Sequence, residues 1–199
     1  MRTLILDAMG VIYSEGDDGH NLLLPFIQEK VGNINYSELV KLYSAVSLGR
    51  ISAPDFWKSL RIDPALEDEY LQRHRLSEGL MEFLDAVSLQ GMKLWCLSND
   101  VSDWSRKLRI RFGLDRYFRG FIISGDVGIR KPDLAIYRHL IEKGGINPSD
   151  AVFVDDRPRN LAPAQELGFT TILFNPTPED SYGHSYKIVR TFPELLGLL

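Results

Sequence analysis

The 199-residue chain lacks the features that mark several classes of protein. It has one cysteine, Cys96, which excludes an internal disulfide framework and a cysteine-rich zinc site. No run approaches the ~18 consecutive apolar residues that a membrane-spanning helix needs. Basic residues are not in excess, since 23 Lys and Arg stand against 27 Asp and Glu. We therefore expect no membrane partner and no nucleic-acid partner, because a general nucleic-acid binder needs a basic face.

The chain also has little that resembles a targeting signal. The N-terminal segment contains one basic residue, Arg2, and Asp7 interrupts its apolar run, which is unlike a secretory signal peptide. Cys96 lies in the apolar run LWCL, where a buried small hydrophobe is expected rather than a nucleophile. These features predict a soluble, cytoplasmic protein, and we expect a monomer or a weak dimer.

What the chain does contain is a series of short apolar runs that each end in a polar residue. Hydrophobic residues make up 44% of the sequence, which is enough for a packed core. Runs of this kind are typical of strands buried on both faces of a parallel sheet. They are TLIL before Asp7, KLWCL before Ser98, GFII before Ser124, AVFV before Asp155 and TTILF before Asn175. Segments of helical period separate them, so the sequence predicts an α/β fold with a doubly wound parallel sheet and right-handed crossovers.

The segment 14–77 departs from this alternation. It has helical patterns at 22–31 and 37–48 and a capping box, SAPD, at 52–55, but no buried strand. A segment of this length is too long for a simple crossover. We predict a small α-helical cap domain over 14–77, inserted into an α/β core domain made of 1–13 and 78–199. In the core, the polar stretch 177–184 predicts a loop and the leucine-rich stretch 192–199 a terminal helix.

Polar side chains follow the predicted strands at their carboxyl ends, where open parallel sheets bind ligands. They are Asp7, the run Ser98, Asn99 and Asp100, and the pair Asp155 and Asp156, to which a loop adds Lys131. Carboxylates at two positions suit Mg²⁺, which prefers hard oxygen ligands. A hydroxyl and an ammonium suit a phosphate group. The sequence therefore predicts a metal and phosphate site at this edge of the sheet.

Each of these residues also has a simpler interpretation. A single Asp after a strand is often a helix cap or a turn former. The run that begins at Ser98 can cap the next helix, and Lys131 before a proline can be a solvated turn residue. Asp155 and Asp156 are different, because adjacent like charges cost stability unless a cation lies between them. The order of all these features along one predicted edge favours the site.

Four ordered motifs resemble those of the haloacid dehalogenase-like hydrolases: LILDAMGV, LWCLSND, the lysine of RKPDLAIY, and VFVDDRPRN. The run LGRISAPDFWKSL is similar to a segment of the small helical caps that follow the first motif. The most similar subfamily contains sugar-phosphatase-like proteins, the phosphatase domain of epoxide hydrolases and the 2-haloacid dehalogenases. The resemblance implies a Rossmann-like core with a helical cap, Mg²⁺ as cofactor and a small phosphorylated molecule as substrate.

The resemblance also implies a role for each matching residue. Asp7 would be the nucleophile that forms an aspartyl-phosphate, and Lys131 would neutralise Asp7 and the phosphate. Ser98 and the backbone of Asn99 would hold the phosphoryl group. The implied metal ligands are Asp7, the backbone carbonyl of Met9, Asp156 and, directly or through a second layer of contacts, Asp155.

One position departs from the family's pattern. Hydrolytic members usually carry a second Asp two residues after the nucleophile, as acid to the leaving group and then base to water, but Met9 stands there. A thioether cannot transfer a proton, and loss of a general acid or base typically costs ~10²–10⁴-fold in rate. The cap would select the substrate, with Arg50, Trp57 and the loop 13–19 as candidates.

Three functions stay open from the sequence. The first is a metal-dependent phosphatase, which Met9 would make slow unless a cap residue or water serves as the acid. The second is a 2-haloacid dehalogenase, in which Asp7 attacks carbon and needs no acid for the leaving group. The third is a binding or regulatory protein that keeps the site but turns over little. Dehalogenases replace the acid pair of the fourth motif with small polar residues, so Asp155 and Asp156 favour the phosphatase.

Overall fold

A computed structural model describes residues 2–174 and 186–199, and within them six strands form one sheet. The strands are β1 (Thr3–Leu6), β2 (Lys93–Ser98), β3 (Phe118–Ile123), β4 (Ala151–Asp155), β5 (Thr170–Phe174) and β6 (Lys187–Val189). They lie in the order β3-β2-β1-β4-β5-β6, and every pair is parallel. The order reverses at β1, which confirms the predicted doubly wound α/β fold. Strand β6 has no counterpart among the predicted strands, and Asn175 and the predicted loop 177–184 lie outside the described residues.

Ten α-helices accompany the sheet in the described part of the chain. They are α1 (Leu24–Val31), α2 (Tyr36–Val46), α3 (Ala53–Ser59), α4 (Glu67–Leu71), α5 (Leu80–Leu89), α6 (Ser102–Phe112), α7 (Ser124–Val127), α8 (Leu134–Gly144), α9 (Pro158–Glu166) and α10 (Phe192–Leu196). The first four lie within the predicted cap segment, whose domain boundaries stay a prediction. Helix α10 is shorter than the predicted terminal helix. None of the described helices has the length and apolar character to cross a bilayer.

Successive side chains of the central strands enter two separate apolar clusters. In β1, Leu4 and Leu6 belong to the cluster that includes side chains of α1–α6, whereas Ile5 belongs to the cluster that includes α8 and α9. Cys96 of β2 lies in the first cluster and is buried, as predicted. Because helices cover both faces, these strands are apolar throughout and do not alternate with polar residues.

The buried carboxylate of Glu67 connects helices α3 and α4 to α6. Glu67 Oε2 of α4 accepts hydrogen bonds from Trp57 Nε1 at 2.9 Å and from Trp104 Nε1 at 2.7 Å. Lys107 Nζ lies 2.8 Å from the other carboxylate oxygen. Trp57 belongs to α3, whereas Trp104 and Lys107 belong to α6, so the network connects three helices. A buried charge is tolerated when it is paired and hydrogen-bonded in this way.

Ser52 and the first turn of α3 form the predicted capping box. Ser52 Oγ accepts a hydrogen bond from the backbone N–H of Asp55 at 3.2 Å, and its hydroxyl donates to the Asp55 carboxylate at 2.7 Å. A side-chain acceptor at this position satisfies one of the free N–H groups of the first turn. The capping box sets where α3 begins, and therefore where Trp57 enters the core.

Candidate active site

Strand β1 places Asp7 at the carboxyl edge of the sheet. The backbone N–H of Asp7 donates to the carbonyl of Val154 in β4 at 2.9 Å, which continues the pairing of the two strands. Asp7 Oδ1 accepts from the N–H of Ala8 at 2.6 Å, and Lys131 Nζ lies 2.8 Å from the same oxygen. The other carboxylate oxygen has no hydrogen bond to the described residues. Asp7 therefore keeps one oxygen for a ligand or a reacting atom.

Lys131 is a buried cation between two carboxylates. Its side chain is 1% exposed, and Nζ lies 2.8 Å from Asp7 Oδ1 and 2.7 Å from Asp155 Oδ2. Asn99 fixes the lysine backbone, because its amide donates to the Lys131 carbonyl at 2.9 Å and accepts from the Lys131 N–H at 2.8 Å. Burial lowers the pKa of Lys131, but the charges of Asp155 and Asp7 and the hydrogen bonds to them together raise that pKa above its ordinary value. The ammonium is therefore charged at physiological pH.

The two acids at the end of β4 have different surroundings. Asp155 is fully buried and accepts hydrogen bonds from Lys131 Nζ, from Asn160 Nδ2 and from the N–H of Arg157. Asp156 Oδ1 is buried and has no hydrogen-bond partner among the described residues. Burial and then the charge of Asp155 raise the pKa of Asp156 to about 7. Asp155 is thus committed to holding Lys131, whereas Asp156 can accept a further cation.

Three carboxylates together fit a divalent metal ion. One oxygen each from Asp7, Asp155 and Asp156 lies within 4.8 Å of the others. Burial, followed by the negative charge of Asp155, raises the pKa of Asp7 well above its ordinary value despite the nearby Lys131. A bound cation would relieve this repulsion and would contact Asp156 Oδ1, which accepts no hydrogen bond from the described residues and lies 3.8 Å from Arg157 Nε. The donors are all oxygens, as Mg²⁺ prefers.

Two glycines leave room for the Asp156 carboxylate. A Cβ atom added at Gly10 or at Gly16 would collide with Asp156 Oδ2. Gly10 also has a φ of +77°, a conformation that side chains disfavour. Arg157 donates a hydrogen bond to the Gly16 carbonyl, which ties the loop after β1 to the start of α9. This loop therefore lies directly against the acid pair.

Ser98 ends β2 with a hydroxyl that has no hydrogen-bond partner among the described residues. The residue is 1% exposed and lines the same cleft as Asp7 and Lys131. Buried hydroxyls nearly always have a partner, so this one indicates a ligand contact. The alternative that this run caps the next helix is wrong, because α6 starts after Val101 with no side-chain capping bond.

A cleft of about 370 Å³ opens over these residues. The base includes Asp7, Met9, Ser98, Asn99, Lys131 and Asn160, while residues of α2, the loop 16–19 and three arginines form the sides. Met9 is 7% exposed and offers only its thioether and backbone here. Of the predicted specificity candidates, part of the loop lines the cleft, whereas Arg50 and Trp57 do not. Sequence reasoning missed Arg130 and Arg159, for which the runs RKPD and DDRPRN give only a weak signal, and it named Asp18 only as part of the loop 13–19.

Asp18 is a buried acid in the side of the cleft, and it is 5% exposed. Its Oδ2 accepts hydrogen bonds from the hydroxyls of Tyr43 and Tyr70, at 3.4 Å each. Burial raises the pKa of Asp18 to about 6, and Arg157 offsets only part of that increase. The charged and titratable groups that act on it also include Asp17 and Asp100.

We expect Asp18→Asn to stabilise the protein at neutral pH. Because the pKa of Asp18 is higher in the folded protein, folding binds a proton, and stability falls as pH rises from the ordinary value of 3.8 to about 6. The gain above pH 6 can reach roughly 3 kcal/mol, from about two pKa units. Chemical denaturation of both proteins between pH 4 and pH 8 measures it. A difference in unfolding free energy that does not change over this range would contradict the expectation.

Comparison with known proteins shows the family to which the chain belongs. A family model described as haloacid dehalogenase-like hydrolase matches residues 1–168. The phosphoserine phosphatase of Thermus thermophilus is 34% identical over 88 residues, which are 44% of this chain and 35% of that protein. Bifunctional epoxide hydrolase 2 of Rattus norvegicus is 26% identical over 183 residues, or 88% of this chain and 31% of that protein. This chain thus matches only about a third of either relative.

The fold also matches solved structures over its whole length. The crystal structure of a HAD phosphatase from Thermococcus onnurineus superimposes with a TM-score of 0.75. The comparison covers 100% of this chain and 97% of that chain at 24% sequence identity. At this identity the likeness concerns the fold, which agrees with the parallel sheet and its flanking helices.

Proposed function

This chain belongs to the haloacid dehalogenase-like hydrolase family, and we propose that it is a Mg²⁺-dependent phosphatase acting on a small phosphorylated molecule through a covalent intermediate on Asp7. The observation that carries the proposal is that Asp7, Lys131 and the unpartnered hydroxyl of Ser98 line one cleft, with a carboxylate oxygen of Asp156 within 4.8 Å of one of Asp7. An anionic nucleophile, a fixed cation, a metal position and a hydroxyl donor are what phosphoryl transfer requires.

Asp7 has the position of a nucleophile in this proposal. Its carboxylate attacks the phosphorus and the ester P–O bond breaks, so the phosphoryl group becomes an aspartyl-phosphate and the alcohol leaves with a proton from water. Water then attacks the same phosphorus, and the bond to Asp7 breaks to release phosphate. Lys131 Nζ lies 2.8 Å from Asp7 Oδ1, and Asn99 and Asp155 hold the lysine in place. Its charge neutralises the charge that develops on Asp7 and on the phosphoryl oxygens.

The remaining contacts bind and orient the phosphoryl group. Ser98 Oγ donates to a phosphoryl oxygen, because it has no competing partner among the described residues. Asp7, Asp156 and the carbonyl of Met9 are the proposed ligands of Mg²⁺, and Asp155 holds Lys131 in place. When bound, Mg²⁺ supplies positive charge that orients the phosphate and screens it from the carboxylates.

Met9 favours one alternative function. A protein with this site and no proton-transfer group at position 9 can bind a phosphorylated ligand and turn it over very slowly, as a regulatory protein would. The dehalogenase alternative has less support, because the single charge of Lys131 between Asp7 and Asp155 cannot balance three clustered carboxylates, which a bound divalent cation would. The cytoplasmic location and the monomeric or weakly dimeric state stay predictions.

We expect hydrolysis of small phosphate monoesters in the presence of Mg²⁺ and its loss on chelation. Because Asp156 Oδ1 is a buried carboxylate oxygen with no hydrogen bond to the described residues, Asp156→Asn should weaken Mg²⁺ binding clearly, by ~10-fold or more. A panel of monoesters assayed with Mg²⁺ and with chelator, together with calorimetric Mg²⁺ titration, measures both effects. Phosphate and Mg²⁺ binding without turnover would favour the regulatory protein, and release of halide from 2-haloacids would favour the dehalogenase.

A further inference from the structure

Two arginines line the cleft without taking part in the proposed chemistry. Arg130 lies directly before the buried Lys131, and Arg159 lies in the first turn of α9. Arg130 is half-buried and Arg159 is exposed. Arg130 is the sequence neighbour of Lys131, and Arg159 follows the acid pair by three residues, so both arginines lie close in the chain to the reacting groups.

Neither guanidinium has an anionic partner among residues 2–174 and 186–199. The structure gives Arg130 and Arg159 no ion pair within 4.0 Å and no side-chain hydrogen bond to these residues. The third arginine of the cleft, Arg157, is different, because it lies 3.8 Å from Asp156 and donates to the Gly16 carbonyl. Arg157 is therefore balanced by the acids of the site, whereas the other two are not.

The surroundings of Arg130 make its charged form unfavourable as long as no anion pairs with it. Burial lowers its pKa, and the positive charges of Arg159 and Arg157 lower it further, while the hydroxyl of Tyr43 acts in the opposite direction. Partly buried like charges of this kind destabilise the protein unless an anion joins them. Guanidinium groups bind carboxylates and phosphates through paired hydrogen bonds, and these are stronger where water is excluded.

We propose that Arg130 and Arg159 form a subsite for a second anionic group of the substrate, a carboxylate or a phosphate. This inference rests on the proposed phosphatase function and narrows its substrate class to phosphate monoesters that carry a further negative charge. The phosphoryl group itself already has Ser98, Lys131 and the metal position as partners. The two arginines are therefore left for a different part of the same molecule.

Competitive inhibition tests the subsite separately from catalysis. The reporter is hydrolysis of 4-nitrophenyl phosphate with Mg²⁺, and the inhibitors are non-hydrolysable phosphonates of two to four carbons. One series ends in a carboxylate, a second in another phosphonate, and a third in a methyl group. We expect a charged end to lower the inhibition constant by ~10-fold or more at the best chain length, since charge-assisted hydrogen bonds to arginine are strong. The two charged series show which anion is preferred.

Matched substitutions show whether the two arginines cause this preference. Arg130→Met and Arg159→Met should each bring the charged-to-neutral ratio of inhibition constants close to one. Arg138→Met serves as the control, because Arg138 is exposed on α8 and does not line the cleft. Since Arg159 is also exposed, its variant should fold even where Arg130→Met does not.

The possible outcomes separate the subsite from the phosphatase activity. A charged-to-neutral ratio of inhibition constants near one in the wild type would overturn the subsite, and so would a ratio that neither arginine variant changes. Hydrolysis of the reporter would still support the phosphatase proposal in both cases. If the reporter is not hydrolysed, the phosphatase proposal fails, and calorimetric titration of the same phosphonates with Mg²⁺ reads the subsite directly. Equal binding of charged and neutral series in that titration would overturn it.

Discussion

Asp7→Asn should abolish phosphatase activity and leave the fold intact. An amide has almost the same shape as the carboxylate, but it is a far poorer nucleophile and gives up the anionic metal ligand. Loss of a nucleophile typically lowers turnover by roughly 10⁴-fold or more. Lys131 keeps Asp155 as a partner at 2.7 Å, so the substitution does not leave a buried ammonium unpaired.

The measurement compares turnover and thermal stability of the wild type, Asp7→Asn and a surface control. Asp103→Asn is suitable as the control, because Asp103 is exposed on α6 and its one ion pair among the described residues is with Arg106 at 3.4 Å. Such surface pairs contribute little to stability. Trapping of the wild type with a metal fluoride, which occupies the place of the phosphoryl group, gives a second readout. Wild-type turnover by Asp7→Asn would exclude Asp7 as the nucleophile.

The sheet could be predicted because its strands are buried on both faces. Burial turns each central strand into a continuous apolar run, and the first polar residue after it marks the carboxyl edge. Asp7 and Asp155 are found by this pattern alone. Strand β6 was missed because it has only three residues, two of them exposed, and so has no apolar run. A short edge strand depends on its neighbour more than on its own sequence.

The distinct environments of the acid pair could not be predicted from the sequence. Asp155 and Asp156 are adjacent and chemically identical, but one accepts hydrogen bonds from three residues and the other has a buried oxygen without a partner. This difference depends on where Asn160 and Lys131 lie, which only the folded chain determines. The sequence predicted that these acids lie at the site, and the resemblance alone divided their roles.

Apart from the loop 13–19, which the sequence offered as a candidate for substrate selection, the sides of the cleft were also beyond prediction. Asp18, Arg130 and Arg159 lie on three different segments, and no periodicity connects them. Their proximity depends on how α2 and the loop after β1 pack against the sheet edge. The sequence does not predict the burial of Asp18, because DDG at 17–19 is typical of an exposed turn. The residues proposed to select a substrate are thus the ones that tertiary packing brings together.

Met9→Asp should raise the turnover of alkyl phosphates by up to ~10²-fold if the site lacks only a group that transfers protons. Met9 lines the cleft beside Asp7, so a carboxyl there faces the leaving group. Alkoxide leaving groups need protonation, whereas nitrophenolate departs well without it, so aryl phosphates should gain much less. Burial of the new carboxyl will offset part of the gain through a loss of stability.

The quantity to measure is the ratio of alkyl to aryl turnover in the wild type, Met9→Asp and Met9→Asn. The Asn variant has a similar shape and polarity but cannot transfer a proton, so only Met9→Asp should raise the ratio. An equal change in both variants would mean that space or polarity at position 9 matters rather than proton transfer. A wild type that already hydrolyses alkyl esters as fast as aryl esters must take the proton from another group. Asp18, the cleft acid whose burial raises its pKa to about 6, is then the residue to replace next.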